Sequence, residues 1–187
     1  MIPLGTHMKR SAFLYCTDID FARYKVLNQR HQLPFIVGQS FGGSNYTLDQ
    51  AFRLRLLLDL LGGEGDEAST MAGLGPSYAV SVVFNAMTKF PRHPLNQIEP
   101  RDWYLGVVVY EEPGRDGETL RHSEWIACEL EQLPAWLEER RTDSVTGQRK
   151  QVIRVFMVNV TRAANFVRDR ADALGLPEGS DFSEIPV

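Results

Sequence analysis

The chain has 187 residues, 43% of them hydrophobic and 24% charged, enough to bury a sizeable core in one or two small domains. Its net charge of -4 speaks against an indiscriminately basic nucleic-acid coat, and no apolar run reaches the roughly 18 residues of a membrane span. Cys16 and Cys128, far apart and without a Cys-x-x-Cys or Cys/His cluster, exclude a zinc site of ordinary spacing. The opening "MIPLGTHM" lacks the pattern of a secretory signal. Residues 1–7 therefore read as a cloning scar before a native start at Met8, the two thiols are expected to be buried and unpaired, and the expected location is cytoplasmic.

In chain order, Thr17 followed by Asp20 signals the start of a helix that runs from Asp18 to about Arg30 and stops before Leu33-Pro34. Phe21, Tyr24 and either Leu27 or Asn28 follow the spacing of a buried stripe, with Ala22 and Val26 beside it. "FIVGQSFGGSNYTL" then resembles a small hairpin or extended loop turning at Gly42-Gly43. Thr47 and Gln50 have capping-box spacing before "LDQAFRLRLLLDLL", a helix to Leu61 that is apolar on most sides. "GGEGDEASTMAGLG" reads as a connector with one helical turn around Glu67 to Met71; without a Gly-Lys-Ser/Thr ending it is not a phosphate loop. Pro76 opens another core helix, with Ala79, Val82, Val83 and Ala86 inward. The three prolines of "PRHPLNQIEPRD" mark residues 91–101 as a linker.

Beyond residue 101 the period changes to that of strands. "WYLGVVVY" and "RHSEWIACEL" read as a hairpin, "LPAWLEERR" as a short helix, "QVIRVFMVNV" as a third, mostly buried strand, and "TRAANFVRDRADALG" as a last helix stopped at Gly175. Asn159 or Thr161 is expected to cap that helix. The predicted fold is α+β: a helical lobe over residues 8–90, a small lobe of about three strands and two helices over 102–177, and a disordered tail over 178–187.

Charge is uneven along this order. Met8 to Arg55 carries seven basic and three acidic residues, whereas the remainder carries 13 basic and 21 acidic ones. A basic segment on an acidic body suits a phosphate backbone, because the local field steers the encounter. The bland reading of the same helix is a solvated amphipathic face.

Arg23-Tyr24, Leu33-Pro34, Gly42-Gly43 and Tyr46 before "TLDQAFRLRLL" stand in an order that resembles the DNA-binding domain of the MerR superfamily, over roughly residues 12 to 88. The resemblance implies a winged helix-turn-helix lobe binding double-stranded DNA, and a homodimer on two half-sites. It also requires a first helix within "KRSAFLYC", a segment short and poor in helix formers, and the wing offers the neutral Gln39, Ser40, Ser44 and Asn45 in place of arginines. No long helix suited to dimerisation follows; a three-strand lobe stands there instead.

If that lobe binds DNA, Arg23, Lys25, Asn28, Gln29, Arg30 and His31 are the candidates on the helix, with Asn45 and Tyr46 at the wing and Arg53 on the next helix. Two of these have an alternative on their own residues. Tyr46 suits a core-edge anchor whose hydroxyl finds a partner, and Arg53 and Arg55 suit salt bridges with Asp49 or Asp59. Trp103, Trp125, Trp136 and Phe156 fit plain core, a ligand pocket or a dimer contact. The scattered histidines form no catalytic constellation, so neither an enzymatic activity nor a cofactor is expected. The alternative to a transcription regulator is a non-enzymatic protein-interaction adaptor using the same surface; in the regulator reading the second lobe is expected to mediate assembly or to meet a protein partner.

Overall fold

The computed structural model describes residues 8–36, 45–62, 74–90, 93–96, 101–114, 117–142, 147 and 149–176. The Gly42-Gly43 turn, the Glu67 to Met71 segment, the leader, most of the proposed linker and the tail lie outside the described residues. The chain is α+β: six described helices and a three-stranded antiparallel sheet. The helices are α1 (Arg10–Thr17), α2 (Phe21–Gln29), α3 (Leu48–Leu60), α4 (Pro76–Ala86), α5 (Leu133–Arg140) and α6 (Val160–Ala173). The strands are β1 (Trp103–Pro113), β2 (Thr119–Glu129) and β3 (Gln151–Asn159). No described helix is long and apolar enough to cross a membrane.

Local chemistry explains most boundaries. Thr47 and Gln50 close a reciprocal capping box at the start of α3. Pro76 occupies the first turn of α4, where its missing N–H costs nothing. The Asn159 carboxamide oxygen accepts from the Arg162 amide (2.8 Å) and caps α6, while the Thr161 hydroxyl accepts from the Trp103 amide (3.0 Å) and donates to the Arg101 carbonyl (2.9 Å). Both members of that Asn-x-Thr triplet are thus spent on the junction of α6 with β1.

The sheet order is β2-β1-β3, so β1 is central and β3 is an edge. The third strand is therefore less buried than expected: Ile153, Arg154 and Val155 are exposed, because strand order decides burial and the apolar composition of β3 does not report it. In β1, Leu105 and Val107 face a large helical core, and Val108 and Tyr110 face a smaller cluster under α5 with Ile126 and Cys128. Gly106 sits between them opposite Met157, where an added methyl would come within 2.0 Å of the Phe156 carbonyl oxygen. The aromatics separate by face. Trp103, Trp125 and Phe156 pack on the helical core, and Trp136 packs on the smaller cluster.

The helical core takes buried side chains from both predicted lobes. Phe13, Phe52, Leu56 and Val83 join Leu105, Val107, Val160 and Val167 in one cluster. His93 and Pro94, inside the predicted linker, are docked as well: His93 Nε2 lies 2.8 Å from Asp49 Oδ1 on α3, and Pro94 is buried.

Candidate nucleic-acid interface

The segment "KRSAFLYC" does fold as a helix. Phe13 and Cys16 bury completely on one side, and that tertiary contact overrides the low intrinsic propensity of the segment. Asp18, in the left-handed conformation (φ 57°), stops α1, with the Ile19 amide donating to the Leu14 carbonyl (3.3 Å). Two residues later the Asp20 carboxylate accepts from the Arg23 amide (2.8 Å) and starts α2. The helix begins at Phe21 and not at Asp18, because the Thr17 hydroxyl is turned back onto the Phe13 carbonyl (2.9 Å) and leaves capping to Asp20. Buried Ile19 pins this turn into the core.

Tyr24 and Leu27 form the underside of α2. The Tyr24 and Tyr46 hydroxyls lie 2.8 Å apart, Phe13 stacks on Tyr46 with ring centroids 4.2 Å apart, and Tyr24 and Phe35 present their edges to Phe13. Burial, followed by the hydrogen bond with Tyr46, pushes the Tyr24 hydroxyl well above its ordinary range, so it stays protonated. Tyr46 in turn is bridged to Met8 by two backbone hydrogen bonds (2.8 and 3.0 Å), tying the start of α3 to the residue two before α1. His31 (φ 54°) ends α2 as the Gln32 amide donates to the Leu27 carbonyl (2.8 Å).

Above this platform the outer side of α2 is open. Lys25, Asn28, Gln29, Arg30 and His31 are exposed, and Arg23 is half-buried toward the side. At about 100° per residue, Lys25 and Gln29 lie near the middle of the outer face, with Asn28 and Arg30 on its flanks. Asn45 is exposed beyond α2, and Lys9 and Arg10 are exposed at the start of α1. Phe21 and Val26 correct the predicted stripe: they are 51% and 43% exposed, since the aromatic platform reaches only Tyr24 and Leu27. The Arg10 guanidinium lies over the Phe21 ring at 5.6 Å.

Two predicted contact residues are turned the other way. Tyr46 is 2% exposed, and its hydroxyl is used by Tyr24. Arg53 is 8% exposed and bonded through Nε to Asp49 Oδ2 (2.8 Å). Both follow from the capping box that orients α3, which points position 46 into the aromatic cluster and position 53 along the helix toward Asp49. His93 Nδ1 accepts from the Leu95 amide (3.2 Å), so Nε2 carries the proton that is donated to Asp49. Burial alone would raise the Asp49 carboxyl; the His93 hydrogen bond and the Arg53 charge outweigh it and hold it below its ordinary value of 3.8.

Arg55 pairs with Asp59 and reaches the Thr17 carbonyl (3.3 Å), while Arg170 of α6 donates to the Tyr15 carbonyl (2.8 Å) and pairs with Asp18 (2.9 Å). The Phe166 ring lies between these two guanidiniums, 4.7 and 4.5 Å from its centroid. The last carbonyls of α1 are thus closed by cations from α3 and α6, and the turn into α2 is held from behind.

Periodicity gave no sign of α1, which only the resemblance required, and it missed the exposure of Phe21 and Val26; the Lys9-Arg10 pair was a signal for a cationic end to α1. No protein-family model matches the sequence, and a search of the curated proteins found no match.

Proposed function

We propose that this protein regulates transcription by binding duplex DNA sequence-specifically, through a winged helix-turn-helix-like N-terminal region and as a homodimer on paired half-sites. The observation that carries the reading is the two-sided character of α2: its underside is fixed by the Tyr24–Tyr46 contact, while Lys25, Asn28, Gln29, Arg30 and His31 stand in solvent. A helix in the major groove meets a unique donor and acceptor pattern on each base pair, which amides such as Asn28 and Gln29 read, while Lys25 and Arg30 supply charge toward phosphates. Phe21 and Val26 add apolar surface suited to thymine methyl groups. Asn45, at the edge of the loop before α3, lies outside this helix and offers an amide donor to the backbone.

Selection from a pool of random duplexes, followed by affinity measurement at two salt concentrations, tests this directly. An enriched motif with two related half-sites is expected, and affinity should fall steeply as salt rises. A pool that stays random, with no salt-dependent duplex binding, would overturn the reading.

A further inference from the structure

The second face of the sheet carries a separate polar site. Between α5 and β3 the chain doubles back: Thr142 bridges to Arg149, and the Lys150 amide donates to the Arg141 carbonyl (2.6 Å). This pairing gathers Arg141, Arg149 and Lys150 around a cavity of about 470 Å³, completed by Gln151 and Val152. Among the described residues the lining is three cations, an amide and a valine, and the volume is that of a small-molecule site. The nearby carboxylates are held by cations: Glu138 pairs with Arg141 (3.0 Å), and Glu124 lies between Arg140 (3.4 Å) and Lys150 (3.9 Å).

Val152, in the cavity wall, is the cross-strand partner of Tyr110, and the Lys150 ammonium lies 5.8 Å from the centre of the Tyr110 ring. On the same face, the Tyr110 hydroxyl and His122 Nε2 are buried without a hydrogen-bond partner among the described residues, although their rings are 5.5 Å apart. Glu112 lies on the other nitrogen of His122, at 3.8 Å from Nδ1. Buried polar atoms are nearly always partnered, so the Tyr110 hydroxyl, on the ring that Lys150 approaches, marks this face as one built for polar company.

We propose that this cavity binds a small organic phosphate monoester, its phosphate among Arg141, Arg149 and Lys150 and its organic part against Gln151 and Val152. Phosphate is favoured over carboxylate because a dianion with three acceptor oxygens answers a lining with three cations, two of them guanidinium forks. A concave site of this size favours a free small molecule over the backbone of a duplex. The site is independent of the role given to α2.

Calorimetric titration of the full chain with inorganic phosphate and with ribose 5-phosphate tests the proposal, with acetate and a short duplex as comparison arms. Saturable binding of both phosphates at one site per chain is expected. Arg149→Gln and Arg141→Gln should each weaken it about tenfold, the loss of one charge-assisted hydrogen bond, with an unchanged thermal midpoint, and Lys25→Gln should leave it intact. Arg149 is exposed, so its variant remains informative even if Arg141→Gln disturbs the end of α5. The proposal falls if neither phosphate saturates, if acetate matches phosphate, if Lys25→Gln weakens binding as much as Arg149→Gln does, or if the duplex alone responds to Arg149→Gln.

Discussion

Lys25 and Arg30 on α2 differ from Arg53, Arg55 and Arg170 in circumstance and hardly at all in chemistry. Arg53, Arg55 and Arg170 are enclosed by Asp49, Asp59, Asp18 and the carbonyls that end α1, whereas Lys25 and Arg30 stand in water. A basic residue is thus part of the fold or available to a ligand according to what closes around it, and nearness in sequence does not decide which. The comparison makes a sharp demand: substitutions beneath and behind α2 should cost stability, and substitutions on its outer face should not.

The largest loss is expected at the platform. Phe13 is fully buried, stacked on Tyr46 and touched edge-on by Tyr24 and Phe35, so Phe13→Ala should lower unfolding free energy by about 3–5 kcal/mol in denaturant titration. A loss under 1 kcal/mol would mean that the aromatic cluster does not hold α2 in place.

Next comes the Arg53–Asp49–His93 chain. Asp49→Asn keeps the shape but leaves Arg53 without its charge partner, and should cost about 1–3 kcal/mol near neutral pH. Because the Asp49 carboxyl titrates below 3.8 in the folded protein, its contribution is complete above that value and is lost as pH falls through the lower, folded one. Thermal unfolding across an acid series should therefore show the gap between the parent and Asp49→Asn constant above 3.8 and closing below it. A gap that persisted unchanged into strong acid would show that the charge on Asp49 is not what stabilises the arrangement.

Arg170→Met removes the guanidinium between Phe166 and Tyr15 while retaining much of the stem. It should cost about 1–2 kcal/mol, mostly through the lost charge-assisted hydrogen bond to the Tyr15 carbonyl, which keeps only the longer bond from the Asp18 amide (3.3 Å), since the Asp18 carboxylate is half in solvent. Equal stability with and without Arg170 would place the closure of α1 entirely on Arg55.

What could be read from the sequence was chiefly local. The capping box at Thr47, Pro76 at the start of α4, the Asn159 cap and the three strand segments each depend on a few neighbouring residues, and all appear near their expected positions. The features that were missed depend on distant partners. The helix over Arg10–Thr17 forms because Phe13 meets Tyr46 and because Arg55 and Arg170 close its end, none of which its own composition announces. Arg53 was ambiguous for the same reason: its spacing to Asp49 allowed a salt bridge, but its burial depends on the packing of α3 in the core, with His93 as the second partner of Asp49. The mixture of both predicted lobes in one core was equally out of reach, because a proline-rich linker and a change of period mark a change of structure without saying whether the two parts share side chains.

The smallest effect on stability is expected on the outer face, and there the comparison can be broken most cleanly. Lys25 and Arg30 are exposed, and neither makes an ion pair among the described residues, so Lys25→Glu with Arg30→Glu should leave unfolding free energy within about 0.5 kcal/mol of the parent. The same double reversal replaces two attractions for phosphate with two repulsions, and should weaken binding to a selected duplex by about 2–6 kcal/mol while flattening its salt dependence. Stability and affinity are then separated on a single helix. If the reversal unfolds the protein, these cations belong with Arg53 and Arg170 as parts of the fold. If it leaves both quantities untouched, the outer face of α2 is a solvated surface, and the charge surplus before Arg55 has no ligand to explain it.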